Sequence, residues 1–209
     1  MARVCGQRGG ATLMPGFDIK VSGIDQAFAG LDKRTIARGT ARGLNKMAAQ
    51  AKTHVKEAIR REYTLKASEI AAKIQVSRAT PSYLVATIFA TGKRLSLLKY
   101  QVSKTLKGVT YRIKKGKRTL LRGYFEATVQ TGHAGVGHTG IFHRTKPAVS
   151  RIGKGHAAHG LHIAEFTGPS LPQLMGSHDT MASVKVFVTA NLNALVAHEI
   201  MFEIERTKQ

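Results

Sequence analysis

Residues Asp32 to Arg61 read DKRTIARGTARGLNKMAAQAKTHVKEAIRR, and this stretch decides the helical part of the fold. Apolar or small residues recur in it at spacings of three and four: Ile36, Thr40, Leu44, Met47, Ala48, Ala51, Val55, Ala58 and Ile59. That period predicts one amphipathic helix, which at 1.5 Å per residue would be roughly 45 Å long. Gly39 and Gly43 each cost about 1 kcal/mol relative to alanine in a helix. They therefore suggest a place where another backbone packs close.

Four basic residues step along this predicted helix at intervals of four: Arg34, Arg38, Arg42 and Lys46. Like charges at that spacing repel by about 0.2–0.5 kcal/mol per pair. The stripe is therefore either a solvated helix face or a surface that faces phosphates or an acidic partner. The 209-residue chain has a formal net charge of +21, and 26 of its 33 Lys and Arg residues precede residue 131. This imbalance favours a polyanionic partner, most often nucleic acid.

Beyond Tyr63 the sequence predicts shorter elements. TLKASEIAAKI is typical of a short helix, and four runs rich in β-branched and aromatic residues predict strands: IQVSRAT, YLVATIFA, VTYRI and YFEATV. We interpret these runs as an antiparallel sheet of at least four strands. The segment KKGKR would form a hairpin tip, whose basic residues Lys114, Lys115, Lys117 and Arg118 are either a soluble turn or phosphate contacts.

The last third of the chain predicts a loop, strands and a second helix. Residues 131–160 are rich in Gly and His and predict a loop, crossed by a brief strand at GIFHR. LHIAEF predicts a strand and TGPSLP a turn. The segment from Asp179 to Arg206 predicts a helix, although VKVFVT within it also fits a strand. Met181, Val184, Val188, Leu195 and Phe202 fall on one side of that helix. It is apolar over a wide arc, so we expect it to be buried in the core or between subunits.

These elements predict an α+β fold with a long N-terminal helix and a C-terminal helix packed on an antiparallel β-sheet, interrupted by a Gly/His-rich loop. Residues 1–16 contain four glycines and one proline and predict a flexible N-terminal arm. Residues 17–209 then form a single domain.

Several functional classes lack their sequence signatures. Cys5 is the only cysteine, which excludes an intrachain disulfide and a cysteine-rich zinc finger. The first residues lack a signal-peptide core and no run approaches the ~20 apolar residues of a membrane span, so we expect a protein made in a reducing cytoplasm and independent of membranes. Nucleotide-binding glycine motifs and a GxSxG elbow are absent. Glu57 with Glu62, and Glu199 with Glu203, are interpreted as helix-surface charges. We therefore expect no catalytic residues and no cofactor.

The histidines are the remaining candidates for chemistry. His133, His138 and His143 lie five residues apart, and His156, His159 and His162 follow. Three imidazoles and an open position would suit a catalytic zinc ion. However, the intervening glycines provide no rigid scaffold, and the stretch has no carboxylate to orient a ligand before Glu165. We interpret these histidines as surface-loop residues and predict no metal site.

The order of several short motifs resembles the bacteriophage minor tail protein Z family. The matching residues, spread over roughly residues 24–205, are Ala41, Leu44 and Asn45; Tyr63 with Leu65 to Ser68; Gly123, Phe125 and Ala127; Gly140, Ile141, Phe142 and Arg144; and Leu161, Ile163, Glu165, Gly168, Pro169 and Ser170. No single motif is specific to this family, but a chance match of all of them in the same order is improbable.

The resemblance implies a non-enzymatic structural component of a virion. Such a protein would be a tail-completion or neck subunit at the head–tail junction, assembled in the host cytoplasm. The resemblance also implies that copies of this chain form a ring, and we take a ring of six copies as the example. The neighbours would be the tail terminator, tail tube and head-completion proteins, with genomic double-stranded DNA as a further contact of the basic surface. The alternative is a free, sequence-independent nucleic-acid-binding protein, although RRM, KH and helix-turn-helix patterns are absent.

Overall fold

A computed structural model of the protein describes residues 16–21, 32–130, 137–145 and 163–207. These residues form two compact units. The helical unit contains residues 16–21, 32–61, 67–93 and 170–207, and the sheet unit contains residues 62–66, 94–130, 137–145 and 163–169. Long helices and antiparallel strands are both present, which confirms the α+β class. The single domain over 17–209 stays a prediction.

Residues 1–15 of the predicted arm lie outside the described residues, and its last residue, Gly16, begins the first strand. The elements of the helical unit are, in chain order, β1 (Gly16–Ile19), α1 (Lys33–Glu62, whose last residue is counted with the sheet unit), α2 (Ala67–Ala71), β2 (Ile74–Ser77), β3 (Ala86–Ala90), α3 (Leu171–Met175) and α4 (His178–Thr207). The long helix predicted from Asp32 to Arg61 is thus confirmed. The strand alternative for VKVFVT is wrong, since that segment lies inside α4.

Asp32 sets the start of α1. Its carboxylate accepts hydrogen bonds from the backbone N–H groups of Arg34 and Thr35, both at 3.3 Å, and from the Thr35 hydroxyl at 3.1 Å. The two backbone N–H groups are donors that a helix leaves unpaired in its first turn. The bond from the Arg34 N–H is the main cause that lowers the pKa of Asp32.

The predicted apolar stripe of α1 is the buried face of the helix. Leu44, Met47, Ala48, Ala51, Val55 and Ile59 are fully buried. In α4 the buried row is Thr180, Val184, Val188, Leu192, Val196 and Ile200. The side predicted for α4 is therefore only partly right, because Phe202 is exposed and Leu195 is half-buried.

The two long helices touch through glycine. A Cβ atom at Gly39 would lie 2.7 Å from the Cα atom of Ile200, and one at Gly43 would lie 2.8 Å from the Cα atom of Val196. Carbon atoms in ordinary contact are about 3.5–4.0 Å apart. The expectation that these glycines mark a close backbone approach is confirmed, and the partner is α4.

The sheet unit contains β4 (Arg94–Ser96), a 3-10 helix (Leu97–Lys99), β5 (Gln101–Thr105), β6 (Gly108–Arg112), β7 (Thr119–Arg122), β8 (Phe125–Gln130), β9 (Gly137–Arg144), β10 (Ile163–Glu165) and β11 (Thr167–Ser170, whose last residue is counted with the helical unit). The brief strand predicted at GIFHR is part of the eight-residue β9. The rest of the predicted Gly/His-rich loop, residues 131–136 and 146–160, lies outside the described residues.

The prediction of one sheet with at least four strands is wrong. The described strands form four small sheets, ordered β1-β3-β2, β10-β9-β8, β11-β4 and β5-β6-β7. Gly123 lies between β7 and β8 with a φ angle of 74°, a left-handed conformation that glycine adopts at no steric cost. The chain leaves one sheet for another at this residue.

The turn predicted at TGPSLP is also wrong. Thr167–Ser170 is a strand paired with β4, and Leu171 begins α3. Ser170 caps α3 with a capping box: Ser170 Oγ accepts from the backbone of Gln173, whose side chain accepts from the backbone of Ser170. Pro172 fits because the first helical turn needs no backbone donor.

Gly39→Ala and Gly43→Ala should each destabilise the helical unit, although alanine is the better helix former by about 1 kcal/mol. The added methyl group meets backbone atoms of α4, which cannot rotate away. We expect a net loss of about 1–3 kcal/mol in the free energy of unfolding, measured by chemical denaturation. Gln50→Ala, on the exposed face of α1, is the control and should stay within about 0.5 kcal/mol of the wild type. Unchanged stability of both glycine variants would contradict the close helix packing.

Candidate basic interaction surfaces

The predicted basic stripe on α1 divides into two halves. Arg34 and Arg38 are exposed, and neither forms a close ion pair with another described residue, although the charge of Arg34 also helps to lower the pKa of Asp32. Arg42 and Lys46 instead reach acidic residues of α4. An external anion can therefore pair with Arg34 and Arg38 without competing with an acidic residue of α4.

Glu199 and Glu203 are buried, so their interpretation as helix-surface charges is wrong. Lys46 donates a hydrogen bond to Glu199 at 2.5 Å, and the Arg42 Nε lies 3.5 Å from the same carboxylate. Arg42 also donates to Glu203 and covers the ring of Phe202 at 4.9 Å. The bond from Lys46 is the main cause that lowers the pKa of Glu199, against the opposing effect of burial. Glu199 stays ionised in the helix interface because basic side chains of α1 meet its carboxylate there.

A cleft of about 650 Å³ lies beside these ion pairs, where Arg206 joins two residues of the stripe. Its lining includes Arg38, Arg42, Asn45, Glu203 and Arg206. The Arg206 Nη1 lies 3.9 Å from Glu203. Sequence patterns alone missed Arg206, since it comes from the other end of the chain and meets the stripe only through the helix packing.

The second predicted surface, KKGKR, connects β6 to β7, so the predicted hairpin is present. Lys114 is part of the fold: its Nζ lies 2.5 Å from Glu62 and 5.6 Å from the ring centre of Tyr63. Lys115, Lys117 and Arg118 are exposed, and none of them forms an ion pair with a described residue. These three are therefore the members of the predicted set that an external anion can reach.

The basic surface of the sheet unit extends well beyond the hairpin. Residues 94–122 contain ten Lys or Arg residues and no Asp or Glu. They include all of β5, β6 and β7, whose order in their sheet is β5-β6-β7. Lys104 is paired with Glu126 at 3.0 Å. The sequence prediction named four residues of this run and missed Arg112. The signal for Arg112 was present in the sequence, since the whole run of predicted strands contains no acidic residue.

Two histidines of the predicted loop lie on β9. Five residues along a strand place His138 and His143 on opposite faces, because side chains alternate. His138 pairs with Glu165 at 2.9 Å, and His143 packs on Tyr124 with 4.8 Å between ring centres. The interpretation of His138 as a loop residue is wrong, whereas His143 lies in the strand that was predicted at GIFHR. His133, His156, His159 and His162 lie outside the described residues.

No group of three or more His, Cys, Asp or Glu residues that could hold a metal ion occurs in the part of the chain that the structure describes.

The outward side of α4 is an uncovered apolar row. Its members are Ala182, Val186, Ala190, Ala194, Ala197 and Met201, all exposed in the chain as described. Val186 is 70% exposed and Met201 is 54% exposed. No run of the sequence was expected to approach a membrane span, yet by length and composition alone, with a mean hydropathy of 1.3 over its best window, α4 is the one described helix that could cross a membrane. The core helix of a soluble protein meets the same criterion.

Comparison with known proteins finds no matching family model, no matching curated protein and no matching solved structure.

Lys46→Met should lower the free energy of unfolding by about 1–3 kcal/mol at pH 7, because it removes the main partner of a buried carboxylate. The folded-state pKa of Glu199 lies below its ordinary value of 4.5. The stabilisation is therefore complete above pH 4.5 and is lost as the pH falls through the folded-state pKa. Denaturation of both proteins across this range measures the difference. The control is Lys52→Met on the same helix, since Lys52 forms no ion pair with a described residue. A difference that is the same on both sides of pH 4.5 would show that Glu199 is not the partner that matters.

Proposed function

We propose that this chain is a non-enzymatic structural subunit of a bacteriophage virion, which self-associates through α4 and presents its basic sheet surface to a polyanion. The uncovered apolar row of α4 is the observation that carries the self-association. The resemblance to the minor tail protein Z family is the reason to place the assembly in a tail or neck. In that location the polyanion would be the genomic double-stranded DNA, and the other neighbours would be the tail terminator, tail tube and head-completion proteins.

The motif residues behind this resemblance have structural explanations. Asn45 donates to the backbone oxygen of Ala79 at 3.0 Å and accepts from the backbone N–H of Ala79 at 2.8 Å. A Cβ atom at Gly140 would lie 2.7 Å from the carboxylate of Glu165. Residues that shape a fold rather than a reaction centre are what a building block requires, which supports the proposal.

Two further motif residues fix one aromatic ring. A Cβ atom at Gly168 would lie 2.5 Å from the ring of Tyr100. The Tyr100 hydroxyl donates to the backbone oxygen of Pro169 at 2.9 Å, and burial raises the pKa of this tyrosine. The GPS motif therefore holds Tyr100 and caps α3, and both roles are structural.

Charge also favours α4 as the surface between subunits. Two copies of a chain with a net charge of +21 repel one another wherever basic surfaces meet. The sequence of α4 contains two Lys or Arg residues and four Asp or Glu residues, which gives a formal charge of −2. Association through this helix therefore brings together two surfaces without excess positive charge, so the repulsion between the subunits is smallest there.

The partner of the basic sheet surface is expected to carry many negative charges. Residues 94–122 contain ten basic residues and no acidic one, and they generate a positive electrostatic field. Attraction of a nucleic acid by such a field does not depend on its base sequence. Duplex DNA has one negative charge per ~1.7 Å of its axis and meets this requirement. A ring would add the charges of its subunits around the axis through which DNA passes.

Ala190→Glu and Ala194→Glu should dissociate the assembly without unfolding the subunit. Each places a charge in the middle of the apolar row, where burial against a second copy would cost several kcal/mol. Sedimentation velocity should show a discrete multimer for the wild type and a monomer for the variants. Asn191→Glu is the matched control, because it makes the same change in charge at an exposed position of α4 outside the row. A wild-type protein that stays monomeric at high concentration would refute the self-association.

Placement in a virion is tested on particles. The chain should copurify with mature tailed particles of the producing phage, in a ratio to a head–tail connector protein that corresponds to a whole number of copies per particle. Quantitative mass spectrometry of gradient-purified particles measures this ratio. The alternative function, a free nucleic-acid-binding protein, predicts instead that the chain stays in the host cytoplasm and is absent from those particles.

A further inference from the structure

The two faces of the β5-β6-β7 sheet differ in chemistry. Thr110 lies opposite Ser103, and Arg112 lies opposite Gln101, in the antiparallel register of β5 with β6. Alternation along the strands places these four side chains on one face, together with Leu120 of β7. Val102, Val109, Tyr111 and Leu121 belong to the other face. Gln101 and Ser103 are exposed whereas Val109 is buried, so the first face is the polar, outward one.

Arg112 is the unusual residue of this polar face. Its Nε atom is buried, yet no hydrogen-bond acceptor meets it. Its guanidinium forms no ion pair with any residue in the described part of the chain. Arg112 as a whole is half-buried, but its Nε–H donor has lost its water and gained no protein partner, which costs free energy. The backbone oxygen of Arg112 accepts from the Thr64 hydroxyl at 2.5 Å, which holds this end of β6 in place.

A cleft of about 440 Å³ lies at this arginine. Its lining includes Arg112, Arg118, Gln101, Ser103 and Thr110. The lining also includes Tyr100, Val102 and Tyr111, and none of the lining residues carries a carboxylate. Two guanidinium groups, the hydroxyls of Ser103 and Thr110 and one carboxamide thus belong to the same concavity. The Thr110 hydroxyl donates to the backbone oxygen of Ser103 at 3.1 Å, which fixes its orientation.

We propose that this cleft is a phosphate-binding site, in which Arg112 is the central ligand and Arg118 the second. A phosphate group offers several acceptor oxygens in a tetrahedral arrangement, and the planar fork of arginine matches two of them at once. Hydroxyl and carboxamide side chains are common further contacts of phosphate in complexes with nucleic acids. Because the Nε atom itself is buried, the accessible end of the guanidinium contacts the phosphate, and the bound anion stabilises the positive charge that this end shares with the unpaired Nε.

The proposal deepens the proposed function, since it names the group of the polyanion that the basic sheet surface recognises and the residue that recognises it. The phosphate belongs either to a nucleic-acid backbone or to a free phosphate ion. Both present the same oxygens to Arg112, so two probes are needed to separate them.

The experiment titrates inorganic phosphate and, separately, a fluorescent DNA duplex into the full-length protein. Phosphate should shift the NMR resonance of the Arg112 Nε–H group, and Arg112→Gln should abolish saturable phosphate binding. In the DNA arm, Arg112→Gln should weaken binding and reduce the slope of log Kd against log salt by about 1. Lys185→Gln, which makes the same charge change on exposed α4, is the control and should leave phosphate binding unchanged.

Arg118→Gln provides a second test, because Arg118 is exposed and its loss is not expected to disturb the fold. It should weaken phosphate binding at least several-fold, while thermal unfolding of the variant matches the wild type. Arg112→Lys should restore only part of the affinity, since lysine supplies the charge without the planar fork.

Each outcome decides a different point. Loss of both phosphate and DNA binding in Arg112→Gln supports the site with a nucleic-acid phosphodiester as its ligand, and loss of phosphate binding alone supports it with free phosphate. A wild-type protein that binds neither probe saturably, or an Arg112→Gln variant that binds phosphate as the wild type does, overturns the proposal. A discrete multimer found in particles without phosphate binding would overturn this inference alone. A monomer that is absent from particles but binds phosphate at Arg112 would overturn only the proposed function.

Discussion

The contact between the backbones of α1 and α4 is the constraint on which the helical unit depends. Gly39 and Gly43 lack the side chains that would push Ile200 and Val196 away. Because the helices come so close, the inner row of α4 is buried over the length of the helix, from Thr180 to Ile200. The same closeness brings basic side chains of α1 within hydrogen-bond distance of two carboxylates of α4. The absence of side chains at Gly39 and Gly43 therefore underlies both the burial of the inner row of α4 and the ion pairs between the two helices.

The sequence allowed the helices to be predicted better than the strands, because helical hydrogen bonds and periodicity are local. The bounds of α1 follow from its apolar stripe and from Asp32. The partner of a strand is chosen by residues far along the chain, so the runs that predict strands do not say which sheet each one joins. The burial of Glu199 was unpredictable for the same reason, because its partner Lys46 is 153 residues away.

The basic residues predicted to face an external anion do not all lie free in the structure. Arg42, Lys46 and Lys114 were predicted to face an external anion, yet each pairs with an acidic residue inside its own unit. Pairing of this kind consumes the few acids the chain has, and it leaves most of its 33 basic residues uncompensated. Among the predicted residues, the exposed Lys115, Lys117 and Arg118 belong to this uncompensated group.

The apolar row of α4 and the basic face of the sheet respond to salt in opposite ways. Contacts with phosphates release counterions, so added salt weakens them steeply. Burial of an apolar row between copies is hydrophobic, and salt also screens the repulsion between subunits that each have a charge of +21. The proposed self-association and the proposed polyanion binding thus make competing demands on one strongly basic chain. In the proposed assembly, a polyanion bound along the sheet faces would remove that conflict, because it would neutralise subunits that associate through α4.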